Sequence, residues 1–167
     1  MEKKLVSLLR ENKMRITTVE SCTGGLLAAG IVNVSGASEI FYEGFITYAN
    51  SAKETYAGVK KESLDKYGAV SSQVAMEMAQ GAAQKTGADV AVSVTGIAGP
   101  DGGTQEKPVG LVYIGCHVKG KTEYKECHFN GDRLKNREDS VKAALLFTID
   151  SVMNYLSEEN NKTKEGN

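Results

Sequence analysis

Apolar and polar positions alternate along the chain in segments of two kinds, and this alternation predicts an α/β fold. Runs rich in β-branched residues, typical of buried strands, occupy 15–19 and 89–94. A third strand is predicted over 41–48, and a hairpin turning at Lys119-Gly120 over 111–129. Apolar residues at helical spacing predict helices at 4–12, 26–32, 50–56, 61–67, 71–86 and from about 133 to 156. Strands separated by helices imply a layered sheet, and the hairpin makes that sheet mixed.

The length and charge of the chain limit the classes of function. A chain of 167 residues fits one domain, which we expect over residues 1–156, followed by a frayed polar tail at 157–167. The net charge of -1 gives no broad basic surface, so we expect neither nucleic acid nor a membrane as a partner. No apolar run approaches the roughly 20 residues of a spanning helix. Three cysteines leave one unpaired in any disulfide scheme, which favours reduced thiols and a cytoplasmic location.

The first candidate site is the stretch Glu20-Ser21-Cys22-Thr23-Gly24-Gly25, between a predicted strand and a predicted helix. Such a corner lifts the Ser21 hydroxyl out of the sheet edge and places it beside unpaired helix N–H groups, which favour an anion. A serine nucleophile needs this combination, because attack on a carbonyl creates an oxyanion. The amides of Cys22, Thr23, Gly24 and Gly25 are the candidate donors. The alternative is a glycine turn in which Ser21 or Thr23 caps the helix.

Tyr48 and Lys53 are the candidates for activating Ser21. Tyr48 ends a predicted strand, and Lys53 falls in the first turn of a helix that we expect Asn50 to cap. A lysine there faces the positive end of the helix dipole, and partial burial acts in the same direction, so both lower its pKa. A lysine of lowered pKa can serve as a general base. The alternative is a solvated lysine and a packed tyrosine.

Other familiar chemistries find little support. The glycine-rich stretch 96–103 has neither dinucleotide nor P-loop spacing. The pairs Cys116-His117 and Cys127-His128 suggest zinc, but neighbours on a strand point to opposite faces. The predicted turn also places Cys116 opposite Glu123, away from Cys127. Both histidines lie in this hairpin, so the sequence offers little support for a serine–histidine–aspartate triad at Ser21. We therefore expect no metal and no cofactor.

Four segments of the chain carry a resemblance to a known family. They are TVESCTGG at 18–25, GFITYANSAK at 44–53, GIAGPDGG at 96–103 with KPVG at 107–110, and NGDR at 130–133. With these, the chain resembles a free-standing C-terminal domain of the CinA family, whose enzymatic members are nicotinamide-nucleotide amidohydrolases. The resemblance runs from about Lys4 to Leu156, in the order of the family.

This resemblance implies a three-layer α/β/α fold and a hydrolase that converts nicotinamide mononucleotide to nicotinate mononucleotide and ammonia. The family's serine nucleophile, tyrosine and lysine fall on Ser21, Tyr48 and Lys53. Its phosphate-binding arginine falls on Arg133, in the first turn of the last helix after a capping Asp132. Arg137, one turn on, could help or could be a surface residue. The wall for the ribose or pyridine is expected at Gly96, Ile97, Ala98 and Gly99.

A rival hypothesis comes from a different class of protein. The association of the CinA name with competence and DNA damage suggests a catalytically idle domain that binds a nucleotide or a protein partner. The presence of Ser21, Tyr48 and Lys53 together argues against idleness, although the three could merely shape a pocket. The resemblance also suggests a homodimer. Release of ammonia from nicotinamide mononucleotide separates the two hypotheses.

Overall fold

A five-stranded mixed sheet forms the middle layer of the domain. The computed structural model describes residues 1–165. The strands are β1 (Ile16–Glu20), β2 (Phe41–Ile46), β3 (Val90–Gly96), β4 (Leu111–Val118) and β5 (Lys121–His128). Their order in the sheet is β2-β1-β3-β4-β5. The first strand runs parallel to both of its neighbours, while β4 is antiparallel to β3 and to β5. The mixed sheet confirms the predicted fold class.

Helices cover both faces of this sheet. They are α1 (Glu2–Glu11), α2 (Leu26–Val32), α3 (Asn50–Ala57), α4 (Lys61–Tyr67), α5 (Ser72–Thr86) and α6 (Arg133–Glu165). Apolar residues of α1, α2 and α6 share one buried cluster with the sheet, and α3, α4 and α5 contribute to a second. The three layers that the family resemblance implies are therefore present.

The central strand β3 explains why two helical layers can pack on one sheet. Val90, Val92 and Val94 belong to the cluster of α1, α2 and α6, whereas Ala91 belongs to the cluster around Met78 of α5. All five side chains are at most 1% exposed. Burying one such valine or methionine side chain contributes about 1.5–3 kcal/mol. On the face of Ala91 the strand also carries buried Ser93 and Thr95, whose hydroxyls donate to the carbonyls of Ala75 and Ala69, so both faces are packed and both of these buried hydroxyls are paired.

The hairpin of β4 and β5 has the predicted register. Cys116 pairs with Glu123, and the turn lies at Lys119 and Gly120, both with positive φ. Cys116 is buried, whereas the ring of the adjacent His117 bonds the hydroxyl of Thr122. Within residues 1–165, no group of three or more histidine, cysteine and acidic side chains is placed to hold a metal ion.

Three predicted element boundaries are wrong. The last helix continues to Glu165 instead of ending near Leu156, because neither glycine nor proline interrupts 157–165 and Lys162 pairs with Glu159 at 2.8 Å. The predicted tail is thus helical as far as the structure describes it, and 166–167 lie outside the described residues. Strand β2 ends at Ile46 rather than at residue 48, and Ala49, not Asn50, is the N-cap of α3. No helix within 1–165 is long and apolar enough to cross a bilayer.

The chain connections open a crevice at one edge of the sheet. The connection from β1 to β2 passes through α2 on one face, and the connection from β2 to β3 passes through α3, α4 and α5 on the other. Loops that leave adjacent parallel strands toward opposite faces separate from each other at the carboxyl ends of those strands. Ligands of open α/β sheets bind at such points.

Candidate active site

The crevice is an open cleft of about 270 Å³, formed by the loops that follow β1, β2 and β3. It brings together residues that are distant in the sequence. Those predicted for the site that line it are Ser21, Cys22, Tyr48, Lys53, Gly96, Ile97, Ala98, Gly99 and Arg133. Thr95, Asn50 and Asp101 also line the cleft, whereas Arg137 does not.

Ser21 lies directly beyond the end of β1. Its amide donates to the carbonyl of Val94 on β3 at 2.9 Å, which fixes the backbone between the two central strands. Its Oγ accepts a hydrogen bond from Lys53 Nζ at 3.0 Å. The serine is only 9% exposed, so its hydroxyl sits at the floor of the cleft.

Lys53 is the largest fully buried side chain of the domain, at 1% exposure. Besides Ser21, its Nζ contacts the carbonyls of Thr47 at 2.8 Å and Tyr48 at 3.3 Å. Burial lowers the pKa of Lys53 to about 8, and the nearby Cys22 thiol opposes this shift. A neutral amine has two N–H donors and one lone pair. The two carbonyls can take the donors, which leaves the lone pair for the Ser21 hydroxyl proton.

Glu20 is a site residue that sequence reasoning missed. Its carboxylate is 1% exposed and accepts hydrogen bonds from the amides of Gly25 and Leu27 at 3.0 Å and of Ala28 at 2.9 Å. An anion at a helix N-terminus is favourable, but this anion belongs to the protein. The first turn of α2 is therefore occupied and is not free for a substrate oxyanion. A glutamate at the end of an apolar strand, directly before a predicted helix, was the available signal.

The expected oxyanion donors are reduced to two by this arrangement. The Gly25 amide binds Glu20, and the Gly24 amide donates to the Ser21 carbonyl at 3.2 Å. Neither Ser21 nor Thr23 caps α2, because Gly25 takes that position with a left-handed φ of 97°. The amides of Cys22 and Thr23 have no hydrogen-bond acceptor within residues 1–165. Of the two residues, Cys22 lines the cleft, whereas Thr23 is fully buried and does not.

The thiol of Cys22 is next to Ser21 but in a different environment. It is 7% exposed and belongs to the apolar cluster with α1, α2 and α6. Burial raises the pKa of Cys22 to about 11, so the thiol is protonated at neutral pH. A thiol reacts as a nucleophile in its thiolate form, and Cys22 is therefore poorly placed to attack a substrate.

Tyr48 and Arg133 meet at the mouth of the cleft. The Tyr48 side chain is exposed, and its hydroxyl accepts from Arg133 Nη2 at 3.1 Å. Tyr48 was a candidate for activating Ser21, but its hydroxyl bonds neither Ser21 nor Lys53 within the described chain. Arg133 Nη1 also donates to the Gly99 carbonyl at 2.7 Å. As predicted, Asp132 caps α6, accepting from the Lys135 amide at 2.8 Å.

Two further residues of α6 hold the loops of the site. Arg137 donates from Nε to the Cys22 carbonyl at 3.0 Å and from Nη2 to the Thr23 carbonyl at 2.9 Å. Arg137 is half-buried, binds backbone carbonyls and does not line the cleft. The buried amide of Asn136 donates to the Ala98 carbonyl at 3.0 Å, which ties the 96–99 wall to the helix. Sequence reasoning missed Asn136, since nothing local distinguishes it.

The fold and the cleft define a class: three-layer α/β domains with a buried serine–lysine pair at the carboxyl edge of the sheet. The family model described as the CinA C-terminal domain matches residues 1–152, and the chain belongs to the CinA family. A CinA-like protein of Kosmotoga olearia is 54% identical over 147 residues, which cover 88% of this chain and 36% of that protein. The chain spans little more than a third of the curated relatives it matches.

Solved structures agree with this membership. The competence/damage inducible protein CihA of Agrobacterium tumefaciens has a TM-score of 0.86 at 38% identity, covering 89% of this chain and 93% of that one. The competence damage-inducible protein A of Klebsiella pneumoniae has a TM-score of 0.88 at 33% identity, covering 91% and 94%. The fold is therefore shared along nearly the whole domain.

Proposed function

We propose that this domain hydrolyses the carboxamide of nicotinamide mononucleotide, giving nicotinate mononucleotide and ammonia. The observation that carries the proposal is the buried pair of Lys53 Nζ and Ser21 Oγ, 3.0 Å apart, at the floor of a cleft. A pKa of about 8 makes Lys53 neutral in a useful fraction of molecules near pH 7. The pair thus has the geometry and the protonation that an amide-cleaving serine requires.

The first half of the reaction transfers the acyl group to the enzyme. Neutral Lys53 accepts the Ser21 proton while Oγ attacks the carboxamide carbon, and the carbonyl oxygen becomes an oxyanion. The amide of Cys22, which lines the cleft and has no acceptor within residues 1–165, is the donor available to it. The Lys53 ammonium then returns a proton to the departing nitrogen. The C–N bond breaks, ammonia leaves, and a nicotinoyl ester remains on Ser21.

The second half releases the acid. Water attacks the ester carbon while Lys53 accepts one of its protons, and the same Cys22 amide donates to the second oxyanion. Lys53 protonates Ser21 Oγ as the ester bond breaks, so both residues regain their starting states. The cationic pyridinium ring withdraws electrons from the amide. Free nicotinamide, which lacks that charge, should be a poorer substrate.

The mouth of the cleft suits the phosphate of the substrate. A guanidinium has five N–H donors, and the hydrogen bonds of Arg133 to Tyr48 and Gly99 use two of them. Arg133 also lies at the N-terminus of α6, where the helix dipole favours an anion. One phosphate can therefore be bound by a side chain and by a helix end together.

Ammonia release from nicotinamide mononucleotide tests the proposal directly. The purified domain should release one ammonia for each nicotinate mononucleotide formed, and Ser21→Ala protein prepared in the same way should release none above background. Binding of the mononucleotide without ammonia release would instead support the idle binding domain.

The pH dependence of kcat/KM is expected to follow Lys53. Its pKa of about 8 lies below the ordinary value, so the neutral base becomes more abundant as pH rises. The expected kcat/KM increases about tenfold from pH 7 to pH 9 and is then level, because the neutral fraction rises from about a tenth to about nine tenths. The substrate phosphate, with a second pKa near 6, contributes little in this range. A rise centred near the ordinary lysine value of about 10.4 would contradict the assignment.

Removal of Arg133 is expected to weaken binding rather than chemistry. The phosphate is remote from the carboxamide, so its contacts have similar strength in the ground and transition states. A charge-assisted pair is worth about 1.5–3 kcal/mol, so Arg133→Ala should raise KM for the mononucleotide roughly ten- to a hundredfold with kcat nearly unchanged. The same variant should lose little against nicotinamide riboside, which lacks the phosphate.

Lys135→Ala is the matched control for this experiment. Lys135 lies in the same turn of α6, but its ammonium pairs with Asp139 and it does not line the cleft. Its replacement should leave KM unchanged. Equal damage by Arg133→Ala on mononucleotide and riboside would show that Arg133 does not bind the phosphate.

A further inference from the structure

The loop after Ser21 is held from its carbonyl side by a residue more than a hundred positions away. Arg137 of α6 donates to the carbonyls of Cys22 and Thr23 at 3.0 and 2.9 Å, and both contacts are partly buried. A guanidinium that bridges two consecutive carbonyls is geometrically demanding, because its planar fork fixes the orientation of both peptide units.

Peptide planarity extends this constraint to the amides. In a trans peptide the C=O of Cys22 and the N–H of Thr23 belong to one rigid plane and point in opposite directions. Arg137 therefore directs the Thr23 N–H away from itself. The Cys22 N–H is held in two steps. The Thr23 carbonyl that Arg137 binds shares a peptide with the Gly24 N–H, and that N–H donates at 3.2 Å to the Ser21 carbonyl, whose peptide carries the Cys22 N–H. Within residues 1–165 neither of the two N–H groups has an acceptor.

We propose that Arg137 is a positioning residue: by holding the Cys22 and Thr23 carbonyls it orients the backbone after Ser21, so that the Cys22 amide receives the oxyanion formed when Ser21 attacks a carbonyl. The inference rests on the serine chemistry of the proposed function. A cation on a peptide carbonyl also polarises that peptide, so Arg137 on the Thr23 carbonyl strengthens the Gly24 N–H that holds the Ser21 carbonyl. Arg137 acts on the transition state through the backbone and does not touch the substrate.

The domain contains a matched arginine at the opposite edge of the sheet. Arg15 Nη2 donates to the Gly87 carbonyl at 2.6 Å, at the amino end of β1. Both arginines are half-buried, and both hold a distant loop through a carbonyl. Arg15→Ala should therefore show the general effect of removing a half-buried arginine that holds a loop. In that variant the backbone around Ser21 should keep its orientation.

The kinetic test compares Arg137→Ala, Arg137→Lys and Arg15→Ala on nicotinamide mononucleotide. Removing one oxyanion donor costs about 10²–10³ in kcat, so a misoriented donor in Arg137→Ala should cost roughly ten- to a hundredfold, with KM nearly unchanged. Arg137→Lys, which can hold only one of the carbonyls well, should fall between this variant and the wild type. Millimolar guanidinium should restore part of the kcat of Arg137→Ala. Arg15→Ala should keep its kcat and gain nothing from guanidinium.

A second measurement does not depend on turnover. Pyridine-3-boronic acid has a trigonal boron where nicotinamide has its carboxamide carbon. Attack by Ser21 Oγ forms a B–O bond, transfers the hydroxyl proton to Lys53 and leaves an anionic tetrahedral boronate that resembles the oxyanion intermediate. Boron-11 NMR detects this species. The wild type and Arg15→Ala should form it equally well, Arg137→Ala should bind at least about tenfold more weakly, and Ser21→Ala should form none.

The two measurements distinguish this inference from the proposed function. If the wild type forms the boronate but releases no ammonia from the mononucleotide, the proposed substrate is wrong, and weakening of the boronate by Arg137→Ala still supports the role of Arg137. If the mononucleotide is hydrolysed and Arg137→Ala loses no more kcat than Arg15→Ala, the inference is overturned and the function stands. A rise in KM without loss of kcat, or a wild type that forms no tetrahedral adduct, also overturns it.

Discussion

Lys53→Met is expected to lower kcat for nicotinamide mononucleotide by roughly 10²–10⁴-fold, with little change in KM. Loss of a positioned general base has this magnitude. Methionine has a similar length and no charge, so it can occupy the buried channel between α3 and Ser21 without the amine that takes the serine proton. Steady-state rates of ammonia release at saturating substrate measure the effect.

The same variant has a consequence for stability that does not depend on activity. Burial holds the Lys53 pKa at about 8, below its ordinary value, so the unfolded chain binds more protons between these two pH values than the folded domain does. The free energy of unfolding of the wild type should therefore rise with pH above 8 through this residue. Lys53→Met should lack that contribution, whereas Lys61→Met, which removes an exposed lysine, should retain it. A wild type and Lys53→Met with the same pH dependence of unfolding would contradict the lowered pKa.

Local sequence patterns predicted the elements and nominated Ser21 and Lys53, but they left a capped glycine turn and a solvated lysine as alternatives, and the family resemblance supplied the proposed roles. The β-branched runs located the buried strands, and the turn at Lys119-Gly120 gave the hairpin register that pairs Cys116 with Glu123. Ser21 was recognisable because a strand and two glycines surround it. Lys53 follows β2 by a few residues, so the carboxyl ends of adjacent parallel strands bring it to Ser21. These features depend on periodicity and on neighbours in the sequence.

The features that could not be predicted depend on contacts between distant segments. Arg137 meets Cys22 across a separation of 115 residues, and no local pattern reports that meeting. The hydroxyl of Tyr48 bonds Arg133, and this contact depends on the position of the first turn of α6 in the folded domain. Glu20 was visible in the sequence, but one of its three amide partners, Gly25, was assigned to the substrate. The amides at a helix N-terminus attract any nearby anion, and a carboxylate of the protein itself lies closest.

Three polar residues are buried around the carboxyl end of β1, where apolar side chains would pack without any need for hydrogen bonds. Glu20, Ser21 and Lys53 are each at most 9% exposed, between two apolar clusters. Hydrogen bonds offset the free-energy cost of burying these groups. Glu20 accepts from three amides, and Lys53 bonds two carbonyls and the Ser21 hydroxyl. A buried polar group with every partner in place is rigid. Such rigidity is the property that a preorganised active site requires.

The serine and the neighbouring thiol are expected to respond in opposite ways to removal. Ser21→Ala should lower kcat for the mononucleotide by about 10³-fold or more, because the acyl-enzyme can no longer form. Cys22→Ala should keep most of its activity. The Cys22 thiol has a pKa raised to about 11 and packs in the core, and its backbone amide survives the substitution.

Comparing the two variants is informative because a thiolate is intrinsically a better nucleophile than a hydroxyl, and only its apolar environment prevents Cys22 from acting as the nucleophile. Cys22→Ala removes buried volume, so a modest loss of thermal stability is expected, and activity should be compared at a temperature where both variants are folded. Mass spectrometry of protein quenched during turnover should locate any nicotinoyl ester on the peptide that contains residues 21 and 22. In Cys22→Ala that ester should persist, and in Ser21→Ala it should vanish. The reverse pattern, with activity lost in Cys22→Ala and kept in Ser21→Ala, would make the thiol the nucleophile and the mechanism proposed for Ser21 and Lys53 wrong.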